Sequence, residues 1–223
     1  MTDRRPPDSA LIGTVSQSGL EALDRLDVPL VVLVGGATGT GKSTVATEVA
    51  HRLGITRVIA TDVIRQVLRA SFARDFMPSV HSSAFEVGME GYAEQAEAVG
   101  TGVAAIVERA CDELTPIVIE GVHVAPGMLS ADLAGRCLVV EAVLVVEDKG
   151  LHRAHFEARG DRRPAERYLE RFDQIRFLQD HLAGKASARR VAVIDNANID
   201  EALGRVMDLV LQAVHGLSGT EQT

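Results

Sequence analysis

The stretch "PLVVLVGGATGTGKST", Pro29 to Thr44, constrains this chain more than any other part of it. "LVVLVG" (30–35) is an unbroken apolar run of strand length, as expected for a central strand covered on both faces. Gly36, Ala37, Thr38, Gly39, Thr40, Gly41, Lys42 and Ser43 then match the phosphate-loop pattern GxxxxGK[ST] in full, and Thr44 leads on into a helix. Each part of the pattern has a physical job. Glycines let the backbone curl so that successive N–H groups point inward at phosphate oxygens. The helix that opens there adds the positive end of its dipole. Lys42 brings a full charge to the β and γ phosphates, and Ser43 offers a hydroxyl to magnesium. The expected ligands are ATP and Mg2+, with residues 36–44 as the nucleotide cradle.

Downstream, strand patterns alternate with helical ones. A helix is expected from Lys42 to about Leu53, a strand over 57–61, and a helix over "DVIRQVLRASF". A Ser-, His- and Pro-containing loop (77–85) precedes a long helix over 90–114. Further strands are expected at 116–121, 141–147 and 190–195, and a closing helix at 200–216. This alternation predicts an α/β fold in three layers: a five-stranded parallel sheet with helices on both faces and right-handed crossovers. Ligands should gather at the carboxyl ends of the strands. The organisation read from the chain is an N-terminal extension (1–28), one domain (29–216) and a short tail (217–223). Between the last two strands, "HRAHFEARGDRRPAERYLERFDQIRFLQDHL" (152–182) reads as helix, turn, helix, and a lid is placed at about 149–186.

The kind of phosphate-loop protein follows by comparison of parts. There is no Asn-Lys-x-Asp guanine reader, and "DLAG" (132–135) reads as helix and turn rather than a switch. Nor is there an Asp-Glu pair after a catalytic strand or an LSGGQ-like signature in the body. Small size, a compact sheet and a helical insert before the last strand suggest a small-molecule kinase that closes an arginine-bearing lid over ATP to exclude water.

Candidate residues fall at strand ends. Asp62 stands where the second strand gives way to a helix; there a carboxylate can accept the acceptor hydroxyl's proton or simply cap the helix, and the sequence leaves both readings open. Arg65, one turn on, can clamp an anionic group of the acceptor. Glu120 ends the third strand, where a carboxylate reaches magnesium or its water. His123 follows it, and His81 and Ser82 come from the 77–85 loop as further acceptor contacts. The 152–182 segment carries Arg153, Arg159, Arg162, Arg163, Arg167, Arg171 and Arg176, and is basic within an acidic chain. Arg159 and Arg163 are the first choices for neutralising charge at the transferring group. Tyr168, Phe172, Ile175, Leu178 and Leu182 form an apolar stripe at helical spacing and read as core.

"GGATGTGKST", "IATDVIRQVLR", "HSSAF", "EGYAEQAEAV", "IVIEGVHVAPG", "VEDKGLHRAHFEARG" and "RYLERFDQIRFLQDHL", in that order, resemble the 2-phosphoglycerate kinases over roughly residues 30–205. The resemblance implies a fold like the nucleoside monophosphate kinases, with a helical lid. It also implies use of ATP and magnesium to phosphorylate the 3-hydroxyl of 2-phosphoglycerate, giving 2,3-bisphosphoglycerate. Two other readings stand beside it: a kinase of another small alcohol such as an inositol phosphate, sugar or antibiotic, and a nucleotide-binding regulator without transfer activity.

Charge narrows the partners. Lys plus Arg number 23 against 31 Asp plus Glu, a net charge of −8, which disfavours a wide nucleic-acid surface and calls for a local cationic cluster to hold a small anionic substrate. No apolar run approaches a membrane span, and Cys111 and Cys137 read as buried thiols. A cytoplasmic protein is expected; the oligomeric state is not legible.

Overall fold

The computed structural model describes residues 26–158 and 165–218. Five strands form one all-parallel sheet in the order β2-β3-β1-β4-β5. In chain order the elements are β1 (Leu30–Gly36), α1 (Lys42–Arg52), β2 (Val58–Ala60), α2 (Thr61–Ser71), a 3-10 turn (Pro78–His81) and α3 (Gly88–Asp112). Then follow β3 (Ile117–Gly121), α4 (Ala131–Ala134), β4 (Leu138–Val145), α5 (Lys149–Glu157), α6 (Ala165–Glu170), α7 (Phe172–Ala188), β5 (Ala192–Asp195) and α8 (Ile199–Ser218). The expected three-layer architecture is the one observed.

Alternate residues of the central strands face opposite layers, the two-residue period of a pleated strand. Val32, Val34, Val118, Val140 and Leu144 join Val45, Val49, Val206 and Val210 of α1 and α8 on one face. Val31, Leu33, Ile117 and Ile119 join Val99, Val103 and Val107 of α3 on the other. Strands sandwiched this way have no polar side, which is why β1 reads as a continuous apolar run. β2 is shorter than expected, three residues, because it is an edge strand with its outer side unpaired. β4 starts earlier than expected, at Leu138, since Leu138 to Val140 pair with the start of β1.

The segment between β4 and β5 forms three helices rather than two among the described residues. The apolar stripe divides them by role. Leu178, Leu182 and Ala186 of α7 lie on the sheet with Val143 and Val145, so α7 belongs to the helical layer. Phe172 and Ile175 instead meet Phe156 and Ala37, with Tyr168 against them, beneath α5 and α6. The segment 149–186 expected as a lid thus includes α7, which packs on the sheet, as well as α5 and α6; Arg159, Arg162 and Arg163 lie outside the described residues, as do residues 1–25 of the N-terminal extension and 219–223 of the tail. Cys111 and Cys137 are buried free thiols. Among the described residues, no helix is long and apolar enough to cross a membrane.

Candidate active site

β1 lies at the centre of the sheet, with β3 on one side and β4 on the other, and the chain crosses from it over β3 to β2. The order therefore reverses beside β1, and the crevice that opens at its carboxyl end is where a ligand is held in such sheets. Residues 36–43 curl into that crevice. Gly39 and Gly41 adopt φ values of +90° and +78°, left-handed backbone that a side chain disfavours. A Cβ on Gly41 would lie 2.3 Å from Asn196 Nδ2, and one on Gly39 would lie 2.7 Å from His152 Nε2. Neighbouring side chains therefore press the loop from behind. No side chain caps α1, so its N-terminus is left for a ligand to complete.

The outside of the loop is held by residues from distant elements. Asp148 caps α5 by accepting from Leu151 N at 2.6 Å, which orients the helix so that two histidines one turn apart face the loop. His152 Nε2 donates to the Thr38 carbonyl at 2.9 Å and His155 Nδ1 to the Gly39 carbonyl at 3.0 Å. Asn196 Nδ2 donates to the Thr40 carbonyl at 2.9 Å. Three consecutive carbonyls are thereby turned outward, and the alternative face of the curl is left to the N–H groups. His152 is fully buried; burial pushes its pKa down to about 4, and nearby Arg176, His155 and Lys42 act the same way against the Thr38 bond. The ring is neutral, its Nδ1 facing Arg176 Nη1 at 3.5 Å. Arg176 itself donates to the Val146 and Glu147 carbonyls, and so acts as a brace rather than a free lid cation.

Inside the curl, Lys42 Nζ donates to the Ala37 carbonyl at 2.7 Å. Ser43 Oγ donates to Glu120 Oε1 at 2.8 Å. Glu120 is only 7% exposed, and β3 delivers it here because it pairs in register with β1, Glu120 opposite Val34. A hydroxyl and a nearly buried carboxylate at the mouth of a phosphate loop form a donor set that suits magnesium, which takes few protein oxygens and fills its shell with phosphate and water. Among the described residues there is no group of three or more His, Cys, Asp or Glu that could hold a metal ion by itself.

Beside the loop lies a cavity of about 440 Å3 lined by Thr38, Asp62, Arg65, Ser83, Arg167 and Tyr168, among others. Asp62 is in the first turn of α2, two residues beyond the N-cap position at Ala60, so it does not serve as the cap. Its side chain is 69% exposed and accepts from Arg65 Nε at 3.3 Å. Arg65 is only 12% exposed and is fixed by the Val80 and Ser82 carbonyls at 3.1 and 3.2 Å.

Three of the expected acceptor contacts take other roles. His123 is fully buried beneath the cavity. Gln95 Nε2 donates to the Ser79 and Ser82 carbonyls, so its Oε1 must accept from His123 Nε2–H at 2.8 Å. His123 Nδ1 then accepts from the Thr61 hydroxyl at 3.0 Å. Burial pushes the pKa of His123 down to about 4, opposed by Asp62 and assisted by Arg65 and Lys42. The neutral ring links the start of α2 to the carbonyl that holds Arg65. His81 meets the Phe72 carbonyl at 3.0 Å, and Ser82 contributes only its carbonyl; Ser83, Ala84 and Phe85 are the members of that loop that line the cavity. Conversely, His152, His155, Asn196 and Arg167 were not singled out in the sequence as site residues. Two histidines at helical spacing in "HRAHFE" were the one available signal.

A second cavity, about 370 Å3, opens on the other side of the loop between Gly39, Gly41, Thr44, His155, Asn196 and Ile199. It lies just after β5, beside Asn196; Asn198 caps α8, accepting from Asp200 N at 2.9 Å.

No protein-family model matches the chain. It is 34% identical over 204 residues to the 2-phosphoglycerate kinase of Methanopyrus kandleri, covering 84% of this chain and 62% of that protein. It is 36% identical over 201 residues to that of Pyrococcus horikoshii (84% and 66%), and 34% identical over 215 residues to that of Methanothermobacter thermautotrophicus (87% and 70%). The chain thus spans about two thirds of the length of these relatives. Among solved structures, the shikimate kinase of Bacteroides thetaiotaomicron aligns with a TM-score of 0.50 at 16% identity, over 81% of this chain and 98% of that one, a likeness of fold. With a relative 34% identical across 70% of its own length, the chain belongs to the 2-phosphoglycerate kinase family.

Proposed function

We propose that the protein transfers the γ-phosphoryl group of ATP to the free hydroxyl of 2-phosphoglycerate, giving 2,3-bisphosphoglycerate and ADP. The observation that carries this reading is the cavity beside the phosphate loop, lined by one carboxylate, Asp62, and two guanidinium groups, Arg65 and Arg167, together with Thr38 of the loop. An acceptor with two anionic groups and one hydroxyl matches two cations and one base.

In this reading the N–H groups of residues 36–43 bind the phosphates, with Thr44 in the same first turn. Lys42 exchanges the Ala37 carbonyl for the β and γ phosphate oxygens. Ser43 and Glu120 would hold magnesium, which when bound would offset phosphate charge. Asp62 accepts a hydrogen bond from the acceptor hydroxyl at a carboxylate oxygen, aligning it and drawing off its proton. Arg65, immobilised by two carbonyls, orients the acceptor without having to be ordered first. Arg159 and Arg163 remain candidates for the transferring group. The place of action is the cytoplasm, where ATP and phosphorylated hydroxy acids are at hand.

The experiment is ADP release from Mg-ATP with 2-phosphoglycerate, 3-phosphoglycerate, D-glycerate, an inositol monophosphate and gluconate, each against an acceptor-free control. Stimulation by 2-phosphoglycerate above the others supports the reading. Stimulation by another member transfers the assignment to that acceptor, and no stimulation by any favours the regulator.

A further inference from the structure

Arg167 lies on α6, 81 positions from its partner in sequence, and makes the densest set of charged contacts beside the cavity. Its Nη2 donates to Glu86 Oε1 at 2.8 Å, Glu86 Oε2 at 2.9 Å and Ser83 Oγ at 3.0 Å, while Nε donates to Glu86 Oε1 at 3.1 Å. The guanidinium is the fork that binds a planar or tetrahedral anion through two bonds at once. Its two sides differ. Arg167 lines the cavity that holds Asp62 and Arg65, whereas Glu86 lines a neighbouring groove with Met89 and Phe177, and Ala84 and Phe85 border both. The fork therefore stands in the wall between the two. Burial alone would raise the Glu86 carboxyl; the Arg167 and Ser83 contacts outweigh it and hold the group below its ordinary range, so the carboxylate is charged. Arg167 is 57% exposed on its side chain and Glu86 25%, and a pair so open to water is weak enough to exchange.

We propose that Arg167 is the second anion-binding cation of the acceptor site, and that Glu86 is an internal stand-in which the acceptor's anionic group displaces. This deepens the proposed function and rests on it for the identity of the acceptor. Arg65 takes one anionic group and Arg167 the other. Rotation of the fork away from Glu86 is then coupled to seating of the acceptor, and α6 is drawn toward the cavity only when a doubly anionic acceptor is present. An acceptor with one anionic group leaves Arg167 on Glu86.

The test is calorimetric binding of 2-phosphoglycerate and of D-glycerate to the full chain and to Arg167→Gln, Glu86→Gln and the double variant. Arg167→Gln is expected to weaken 2-phosphoglycerate about 10- to 100-fold, the loss of a charge-assisted pair, and D-glycerate by no more than about twofold. Glu86→Gln is expected to tighten 2-phosphoglycerate by about 2- to 5-fold by removing the competitor, and the double variant to behave like Arg167→Gln. The sign for Glu86→Gln decides. If it weakens binding as Arg167→Gln does, the pair only latches α6 to the loop and the proposal is overturned. A wild-type protein that neither binds nor phosphorylates 2-phosphoglycerate defeats the acceptor assignment instead; the same ordering of variants is then required with 3-phosphoglycerate, which also carries two anionic groups, and its absence overturns the exchange as well.

Discussion

Lowering the pH from 7.5 to 5.0 should remove a large part of the folding stability, through His123 and His152. Both are buried neutral rings whose pKa values fall from 6.5 to about 4 on folding. The unfolded chain therefore binds protons between those limits that the native state refuses, so stability is fully present above about pH 6.5 and declines as the pH falls toward 4. At pH 5 each ring contributes a loss of about 2 kcal/mol. His181, also lowered by burial, adds in the same sense; Glu141, raised by burial, works against it. The pair together costs about 4 kcal/mol, a substantial fraction of a typical domain's total. With an m value of about 2 kcal/mol/M, the urea midpoint should drop by about 2 M between pH 7.5 and 5.0. His152→Gln keeps a donor for the Thr38 carbonyl and removes one proton-binding site, so the drop should shrink by about half. A midpoint that moves by less than about 0.5 M, or a His152→Gln protein as pH-sensitive as the parent, would refute the assignment of neutral, buried rings.

Other perturbations separate binding from folding. Lys42→Met should lower kcat/KM for ATP by at least about a hundredfold, through loss of the charge offered to the β and γ phosphates, with a thermal midpoint within a few degrees of the parent. Gly41→Ala forces a side chain into left-handed backbone and against Asn196 Nδ2; it should raise the ATP KM by about tenfold or more and cost about 1–2 kcal/mol in a urea titration. Thr61→Val removes the hydroxyl that His123 accepts from; acceptor KM should rise about 3- to 10-fold with ATP KM unchanged, because the chain Thr61–His123–Gln95–Ser82 ends on Arg65. Tyr92→Phe strands the buried Val122 carbonyl and should cost about 1–2 kcal/mol by denaturation, with kcat little changed.

What could be read from the chain depended on how local its cause was. The β1–loop–α1 unit is contiguous, and its curl is written in its backbone requirements, so the conformation of the loop between β1 and α1 was legible at once. Glu120 was legible because a carboxylate ending a buried strand has one direction to point, and parallel register carries it to Ser43. The α7 stripe was legible as core from its spacing. The histidine clamp was not: His152 and His155 meet carbonyls 114 and 116 positions away, and no local pattern encodes such a contact. His123 looked like a ligand because it follows Glu120, yet a one-residue difference in where the strand ends decides whether a side chain faces the crevice or the core. The choice among seven arginines was equally beyond spacing. Arg176 braces β4's exit and Arg167 reaches the cavity, and only the break of the helix at Arg171 separates their directions.

Phosphorus NMR of the reaction mixture addresses the central claim most directly. With Mg-ATP and 2-phosphoglycerate, the account predicts that the single phosphomonoester signal of the acceptor gives way to two of equal intensity, one ADP appearing per product formed. An unchanged acceptor signal, with ADP accumulating no faster than in its absence, would contradict it.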